Sequence, residues 1–158
     1  MNIRPVPYDH PDAVKLDAEV QAEYNLRYGD GGDATPMDPA DFTPPNGIYL
    51  IVYDDRDVPV ASGGWRVQNA NGEGNRDGDA ELKRMYVIES MRGRGLARRI
   101  LAALEADARA AGRVRMVLET GTKQPEAIAL YTSSGYEPCE PFGYYRFHEE
   151  SRCYAKTL

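Results

Sequence analysis

Apolar and polar positions follow two different periods along this chain, and the changes between them mark its elements. Asn2 to Val6 is predicted as a short first strand, confined to an edge by Pro5 and Pro7. Between Asp12 and Tyr28, Val14, Leu16, Val20 and Leu26 recur among charged residues at helical spacing. Residues 29–46, GDGGDATPMDPADFTPPN, concentrate Gly, Pro and Asp and read as a long loop. Ile48–Tyr53 and Val58–Val67 are apolar runs on either side of Asp54-Asp55, the pattern of a β-hairpin. A second polar loop, QNANGEGNRDGD, runs from Gln68 to Asp79. Loops this long inside a compact domain are usually functional or mobile.

The second half is patterned more strongly. Ala80–Val87 (AELKRMYV) reads as a strand with a broken alternation, because Leu82 is even-numbered while Met85 and Val87 are odd. Either both of its faces are covered, or a bulge resets the phase. Gly95–Ala111 is a helix whose Leu96, Ile100, Leu101, Leu104 and Ala108 form one stripe, with Gly112 as its stop. Val114–Leu118 is a buried strand. Gln124–Ser134 is a shorter helix, with Pro125 suited to the first turn and Gly135 at its end. Tyr136–Leu158 supplies one or two final strands. The order β-α-loop-β-β-β-α-β-α-β describes a mixed α/β sandwich. With no internal repeat and no composition break, one domain over residues 1–158 is expected.

Composition narrows the function classes. A chain of 158 residues is long enough to bury a core without staples. No apolar run approaches the roughly 18–20 residues that span a bilayer. The start, MNIRPVPYDHPD, lacks the layout of a signal peptide, so a cytoplasmic location and no membrane partner are expected. Cys139 and Cys153 are too few for a disulfide scaffold and fit no zinc spacing, so both read as idle thiols and no metal is expected. A net charge of −6 argues against a broad nucleic-acid footprint.

Against that acidic background, Met91–Arg99 reads MRGRGLARR, four arginines and two glycines in nine residues. It lies between a strand and a helix, where backbone N–H groups at a helix N-terminus attract phosphate. Glycines admit the oxygens closely, and arginines add charge-assisted bonds. A Walker loop fails because no Lys-Ser or Lys-Thr follows. A dinucleotide fingerprint fails because its third glycine is replaced by Arg98.

The pattern that fits is [Q/R]xxGx[G/A], met by Arg92, Gly95 and Ala97, with ELKRMYV before it, and VLET and AIALYTSSGY after the helix. Across residues 80–138 the chain resembles the Gcn5-related N-acetyltransferase (GNAT) superfamily. The tail PFGYYRFHEESRCYAKTL is also similar to a bacterial branch of small acetyltransferases, some described as indole-acetate acetyltransferases. The resemblance implies a central, mostly antiparallel twisted sheet flanked by helices and splayed at a bulge. It implies acetyl-CoA as acyl donor and a small-molecule or peptide amine as acceptor, with a homodimer as a possible assembly. Pantetheine would pair with the backbone at Met85 and Val87. The pyrophosphate would lie on the amides of Arg92, Gly93, Arg94, Gly95, Leu96 and Ala97. Arg92, Arg98 or Arg99 would reach the 3′-phosphate, and Gln124, where relatives often have asparagine, would touch the cofactor.

Tyr131, in the context LYxxxGY, corresponds to the acid that protonates the departing thiolate in many relatives. Glu81 is preferred as general base, because the matching strand in relatives often carries it. Glu119 is the alternative, and either carboxylate equally suits an ion pair with Lys83 or Arg84. His10 and His148 read as surface or structural residues, although His148 is placed to face the acceptor. An acceptor pocket is expected from the first helix, both long loops and the tail, with Tyr24, Tyr28, Trp65, Phe142, Tyr144 and Tyr145 as lining candidates. Acidic stretches such as residues 30–33 and 148–150 suit a cationic acceptor. The rival reading is a non-catalytic acyl-CoA-binding module of the same fold.

Overall fold

The computed structural model describes residues 1–29 and 31–158. Strand β1 (Asn2–Pro5) and helix α1 (Pro11–Tyr28) come first. The helix is capped by His10, whose Nδ1 accepts the Asp12 N–H at 3.0 Å, and ends at Gly29 with φ +76°. Its buried face is Ala13, Leu16 and Val20. Val14 and Leu26, counted in the expected stripe, are instead 55% and 86% exposed. The stripe actually starts one residue earlier, at Ala13, and keeps the i, i+3, i+7 spacing that Val14 and Leu26 break.

The hairpin forms as expected, from β2 (Gly47–Tyr53) and β3 (Pro59–Gln68). It is followed by β4 (Asp79–Val87), α2 (Leu96–Ala110), β5 (Arg115–Gly121), α3 (Pro125–Ser133), β6 (Glu137–Pro138) and β7 (Ser151–Thr157). The seven strands make one sheet in the order β1-β2-β3-β4-β5-β7-β6. The β4–β5 pair is parallel and the other neighbours are antiparallel.

Alternation along β2 shows how the two faces are built. Leu50 and Val52 join Leu82, Ile100, Leu101, Leu104, Met116 and Leu118 under α2. Tyr49, Ile51 and Tyr53 join Ala13, Leu16 and Phe42 under α1. The whole predicted stripe of α2 is buried, and truncating a member such as Leu104 to Ala would cost about 2–5 kcal/mol. Trp65 and Phe142 are core residues, each 1% exposed, and neither reaches the acceptor pocket expected for them. Trp65 keeps its indole N–H satisfied by donating to Asp107 Oδ2 at 2.8 Å. Residues 68–79 are not part of that pocket either. They fold against the far end of β4 and β5, where buried Asp79 accepts Nε and Nη2 of Arg115, both at 2.8 Å. No helix among the described residues is long and apolar enough to cross a membrane.

Candidate active site

The parallel pairing of β4 with β5 runs through Asp79↔Arg115, Ala80↔Met116 and Glu81↔Val117, and ends there. Beyond it a cavity of about 150 Å³ opens. One lip is Leu82, Lys83, Arg84 and Met85 of β4, and the other is Leu118, Glu119, Thr120 and Gly121 of β5. Tyr24 and Tyr28 of α1, Gln124 at the start of α3, Tyr131 of α3, and His148, Glu150 and Ser151 of the tail close around it.

The broken alternation in β4 is a bulge. Pairing jumps from Gly64↔Lys83 to Ser62↔Tyr86, so Arg84 and Met85 together oppose Gly63. Arg84 takes a left-handed backbone, φ +58°, a conformation costing about 1–2 kcal/mol in a residue with a Cβ. Gly63 makes room for the bulge, since a Cβ there would stand 2.5 Å from Met85 Sδ. The extra residue sends Lys83 and Arg84, although adjacent, to the same face, while Leu82 and Met85 pack under α2. Lys83 Nζ donates to Asp33 Oδ2 at 2.9 Å. Arg84 donates from Nε to Asp17 Oδ1 at 2.9 Å and from Nη1 to Asp33 Oδ2 at 2.6 Å. These part-buried ion pairs hold the strained residue in place.

The two candidate bases have different surroundings. Glu81 is 4% exposed, does not line the cavity, and accepts Arg66 Nε at 2.8 Å and Gln68 Nε2 at 3.1 Å. Its ionic partner is therefore Arg66 of β3, not Lys83 or Arg84. Glu119 lines the cavity. Burial pushes its carboxyl up to about 7, with Glu81 and Asp33 adding to the rise and Lys83 and the Ser151 hydroxyl opposing it. Cys153 Sγ stands 3.9 Å from Glu119 Oε2. Burial raises the Cys153 thiol to about 12 and raises Cys139 as well.

Tyr131 lines the cavity from α3, 6% exposed, with its ring edge-on to Tyr136 at 5.7 Å. Burial, helped by neighbouring Tyr24, holds its phenol well above the ordinary range. Gln124 caps α3 without a side-chain bond to the helix, and its Oε1 accepts the Tyr28 hydroxyl at 3.2 Å. Gly121 leaves the space that the Tyr28 ring occupies. Tyr145 also lines the cavity, whereas Tyr144 is 57% exposed and does not. His148 is at the cavity wall, its Nδ1 accepting the Glu150 N–H at 3.2 Å, while His10 is the cap of α1.

The glycine turn lies at the start of α2. Gly93 and Gly95 both have φ +78°, and a Cβ on either would meet nothing within 4 Å. Gly95 is the N-cap and no side chain caps the helix, so the first-turn N–H groups of Leu96, Ala97 and Arg98 have no intrahelical acceptor. Arg92 is turned aside, donating from Nε to Val87 O at 2.9 Å and from Nη2 to Glu23 Oε1 at 3.0 Å. Arg98 straps α2 to α3 through the hydroxyls of Ser133 and Ser134, at 2.7 and 3.2 Å. Arg94 and Arg99 are exposed and make no side-chain bond among the described residues. Met85 lines the cavity, but Val87 lies beyond it, its carbonyl engaged by Arg92.

A split between parallel strands, a bulge on one lip and an uncapped glycine turn feeding the next helix together define a fold family. The sequence profile of the Acetyltransferase (GNAT) family matches residues 15–136. The chain belongs to the GNAT acetyltransferases. Its GNAT relatives include YjgM of Escherichia coli K12, named an N-acetyltransferase, 33% identical over 135 residues that cover 82% of this chain and 77% of that protein. A shorter match, 46% over 68 residues, links it to a protein named IAA acetyltransferase from Azospirillum brasilense, covering 43% of this chain and 44% of that one. Among solved structures, an acyl-CoA N-acyltransferase described from Klebsiella pneumoniae superposes with a TM-score of 0.80 at 28% identity, covering 99% and 97% of the two chains. An aminoglycoside 6′-N-acetyltransferase solved with coenzyme A shares the fold at a TM-score of 0.69 and 17% identity, over 99% and 98% of the chains.

Sequence reasoning brought the acidic stretch 30–33 to the acceptor pocket but missed the Lys83–Arg84 pair as part of this GNAT cavity. The only signal for that pair was the phase break in β4, which places two consecutive cations on one face. The acidic stretch 30–33 contributes Asp33 to the wall, while Asp30 lies outside the described residues.

Proposed function

We propose that this protein moves acetyl from acetyl-CoA to a primary amine of a small molecule or peptide, by direct attack of the amine on the thioester. The observation that carries the reading is the cavity at the β4–β5 split, which Glu119, Tyr131 and the Arg84–Met85 bulge share. An amine reaches the site as an ammonium and must lose a proton before it attacks. A carboxyl titrating near neutrality is matched to accept that proton, and burial sets Glu119 there. The base is therefore Glu119. Glu81, favoured from the sequence, is committed to Arg66 and Gln68.

Tyr131 keeps its proton at working pH because burial raises its pKa, so the hydroxyl has a proton to give as charge develops on sulfur. A backbone N–H at the bulge polarises the acyl carbonyl in this reading. The open space over Gly93 and Gly95 and the free amides of α2 suit a pyrophosphate. Arg94 and Arg99 are the guanidiniums left to meet further phosphate, and Gln124 retains its amide nitrogen for the pantetheine arm. Both thiols are held protonated, which favours direct transfer over a cysteinyl intermediate.

The test is CoA release, followed with a thiol reagent across a panel of primary amines. Wild type is expected to turn over, and Glu119→Gln and Tyr131→Phe to lose about 100-fold or more in kcat while still binding acetyl-CoA. Tight acetyl-CoA binding with no turnover on any amine would make the protein a binding module and overturn the proposal.

A further inference from the structure

Two cations line the cavity with almost no exposure. The Lys83 side chain is 8% exposed and that of Arg84 is 3% exposed. A buried ammonium beside a buried guanidinium is the natural receptor for a carboxylate. On the acceptor side of an acetyltransferase, such a pair would hold the carboxylate of an amino acid. In this chain the position is already filled from within.

Asp33 Oδ2 accepts both Lys83 Nζ and Arg84 Nη1, at 2.9 and 2.6 Å. Its Oδ1 accepts the Thr35 N–H and the Thr35 hydroxyl, at 2.9 and 2.6 Å. The backbone is pinned as well, because Gln21 accepts the Asp33 N–H at 2.6 Å and donates to the Asp33 carbonyl at 2.9 Å. The next amide, Ala34 N–H, donates to the Tyr145 hydroxyl at 2.8 Å. Burial acts to raise the Asp33 carboxyl, but Lys83 and Arg84, with Thr35, hold it well below the usual carboxylate range. The carboxylate is thus fixed, ionised and in contact with both cations.

Charge around the cavity is balanced before any ligand arrives. Lys83 and Arg84 face Asp33, and Asp17 takes the other edge of Arg84. The remaining titratable groups at the wall are Glu119, Glu150, His148 and the phenols of Tyr24, Tyr28, Tyr131 and Tyr145. An ammonium entering there meets carboxylates and aromatic rings, which attract it. A second carboxylate meets two cations already paired, and the negative charge of Asp33.

We propose that Asp33 is a built-in counter-ion occupying the carboxylate position of the acceptor site, so that the enzyme takes amines lacking a carboxylate beside the reacting nitrogen and rejects the matching amino acids. This specificity rests on the acetyl-transfer reading above.

Matched pairs test it: tryptamine with tryptophan, phenethylamine with phenylalanine, tyramine with tyrosine. Wild type is expected to favour each decarboxylated partner by about 100-fold or more in kcat/KM, because like charges juxtaposed in a dry site are strongly disfavoured. Asp33→Ala vacates the position, and the ratio is expected to collapse at least about tenfold through a gain on the amino acids. Added formate should restore the preference for amines. Asp33→Asn fills the space without charge, and should lose turnover on amines without that gain. Wild type acetylating each amino acid as well as its amine, or an unchanged ratio in Asp33→Ala, overturns the proposal.

Binding supplies a readout independent of turnover. Phenethylamine is expected to raise the melting temperature of wild type while phenylacetate does not, and phenylacetate is expected to raise that of Asp33→Ala. If these shifts appear while no amine is acetylated, the counter-ion stands and the acetyl-transfer reading fails. If phenylacetate stabilises wild type as phenethylamine does, the counter-ion fails whatever the turnover. Should Asp33→Ala not fold, the wild-type pair ratios and the two wild-type shifts decide the matter.

Discussion

Replacing Glu119 with Gln should damage catalysis and strengthen the fold, and only above a definite pH. The site prefers the neutral carboxyl, whose pKa rises from an ordinary 4.5 to about 7. The unfolded chain has no such preference. A group whose folded pKa is raised stabilises the fold fully below the unfolded value, and that contribution disappears as pH climbs through the folded value. At 1.36 kcal/mol per unit, the shift amounts to at most about 3 kcal/mol. Glu119→Gln is neutral at every pH and nearly the same shape. It should match wild type near pH 4.5 and exceed it by up to about 3 kcal/mol above pH 7.5, a gain of roughly 6–12 °C in Tm for a chain of this size. Urea and thermal melts of both proteins between pH 4.5 and 8.5 measure this directly. A stability difference that stays flat with pH, or a Gln variant weaker than wild type at pH 8, would refute the raised carboxyl and its proposed role as base.

Three further outcomes follow from the same geometry. The acid limb of the kcat/KM profile is expected near pH 7, and Lys83→Met should move it upward because the ammonium favours ionised Glu119; a limb that does not move would uncouple the two residues. Gly95→Val forces a β-branched side chain into φ +78° over open space. It should cost about 1–2 kcal/mol of stability and raise the acetyl-CoA KM about tenfold or more while circular dichroism stays native; an unchanged KM would mean the cofactor lies elsewhere. Arg66→Met should destabilise by about 3–5 kcal/mol in urea, since Glu81 is left charged and buried without its partner. Glu81→Gln should stay within a few-fold of wild-type kcat, and a loss as large as that of Glu119→Gln would return the base to Glu81.

Where hydrophobic period alone decides the outcome, the chain was readable. The α2 stripe, the hairpin and the glycine stop at Gly112 follow directly from side-chain spacing. The bulge was legible too, as a change of parity between Leu82 and Met85. In helix α1, Leu16 and Val20 are buried as expected, but small Ala13 packs while larger Val14 and Leu26 are exposed, and size misled where position ruled. The arginines of MRGRGLARR could not be sorted from sequence. Which of them stay free depends on Glu23, Ser133 and Ser134, distant in the chain. Choosing between Glu81 and Glu119 depended likewise on Arg66, a neighbour across strands β3 and β4. Asp33 could be read only as one charge of the acidic stretch 30–33, because its pairing with Lys83 depends on a contact 50 residues away.

A sheet ordinarily gains stability by adding rungs to its ladders. Between β4 and β5 the next rungs would zip Leu82 to Met85 against Leu118 to Gly121 and erase the cavity. Closing that gap would improve the scaffold and abolish the site in one step. Arg84 stands against it: its left-handed backbone interrupts the regular pleat of β4 beside the gap, and its half-buried partners Asp17 and Asp33 keep it turned. The strained bulge is thus what keeps the sheet from completing itself, and a search for stabilising substitutions along these two strands should find the fold improving as the enzyme disappears.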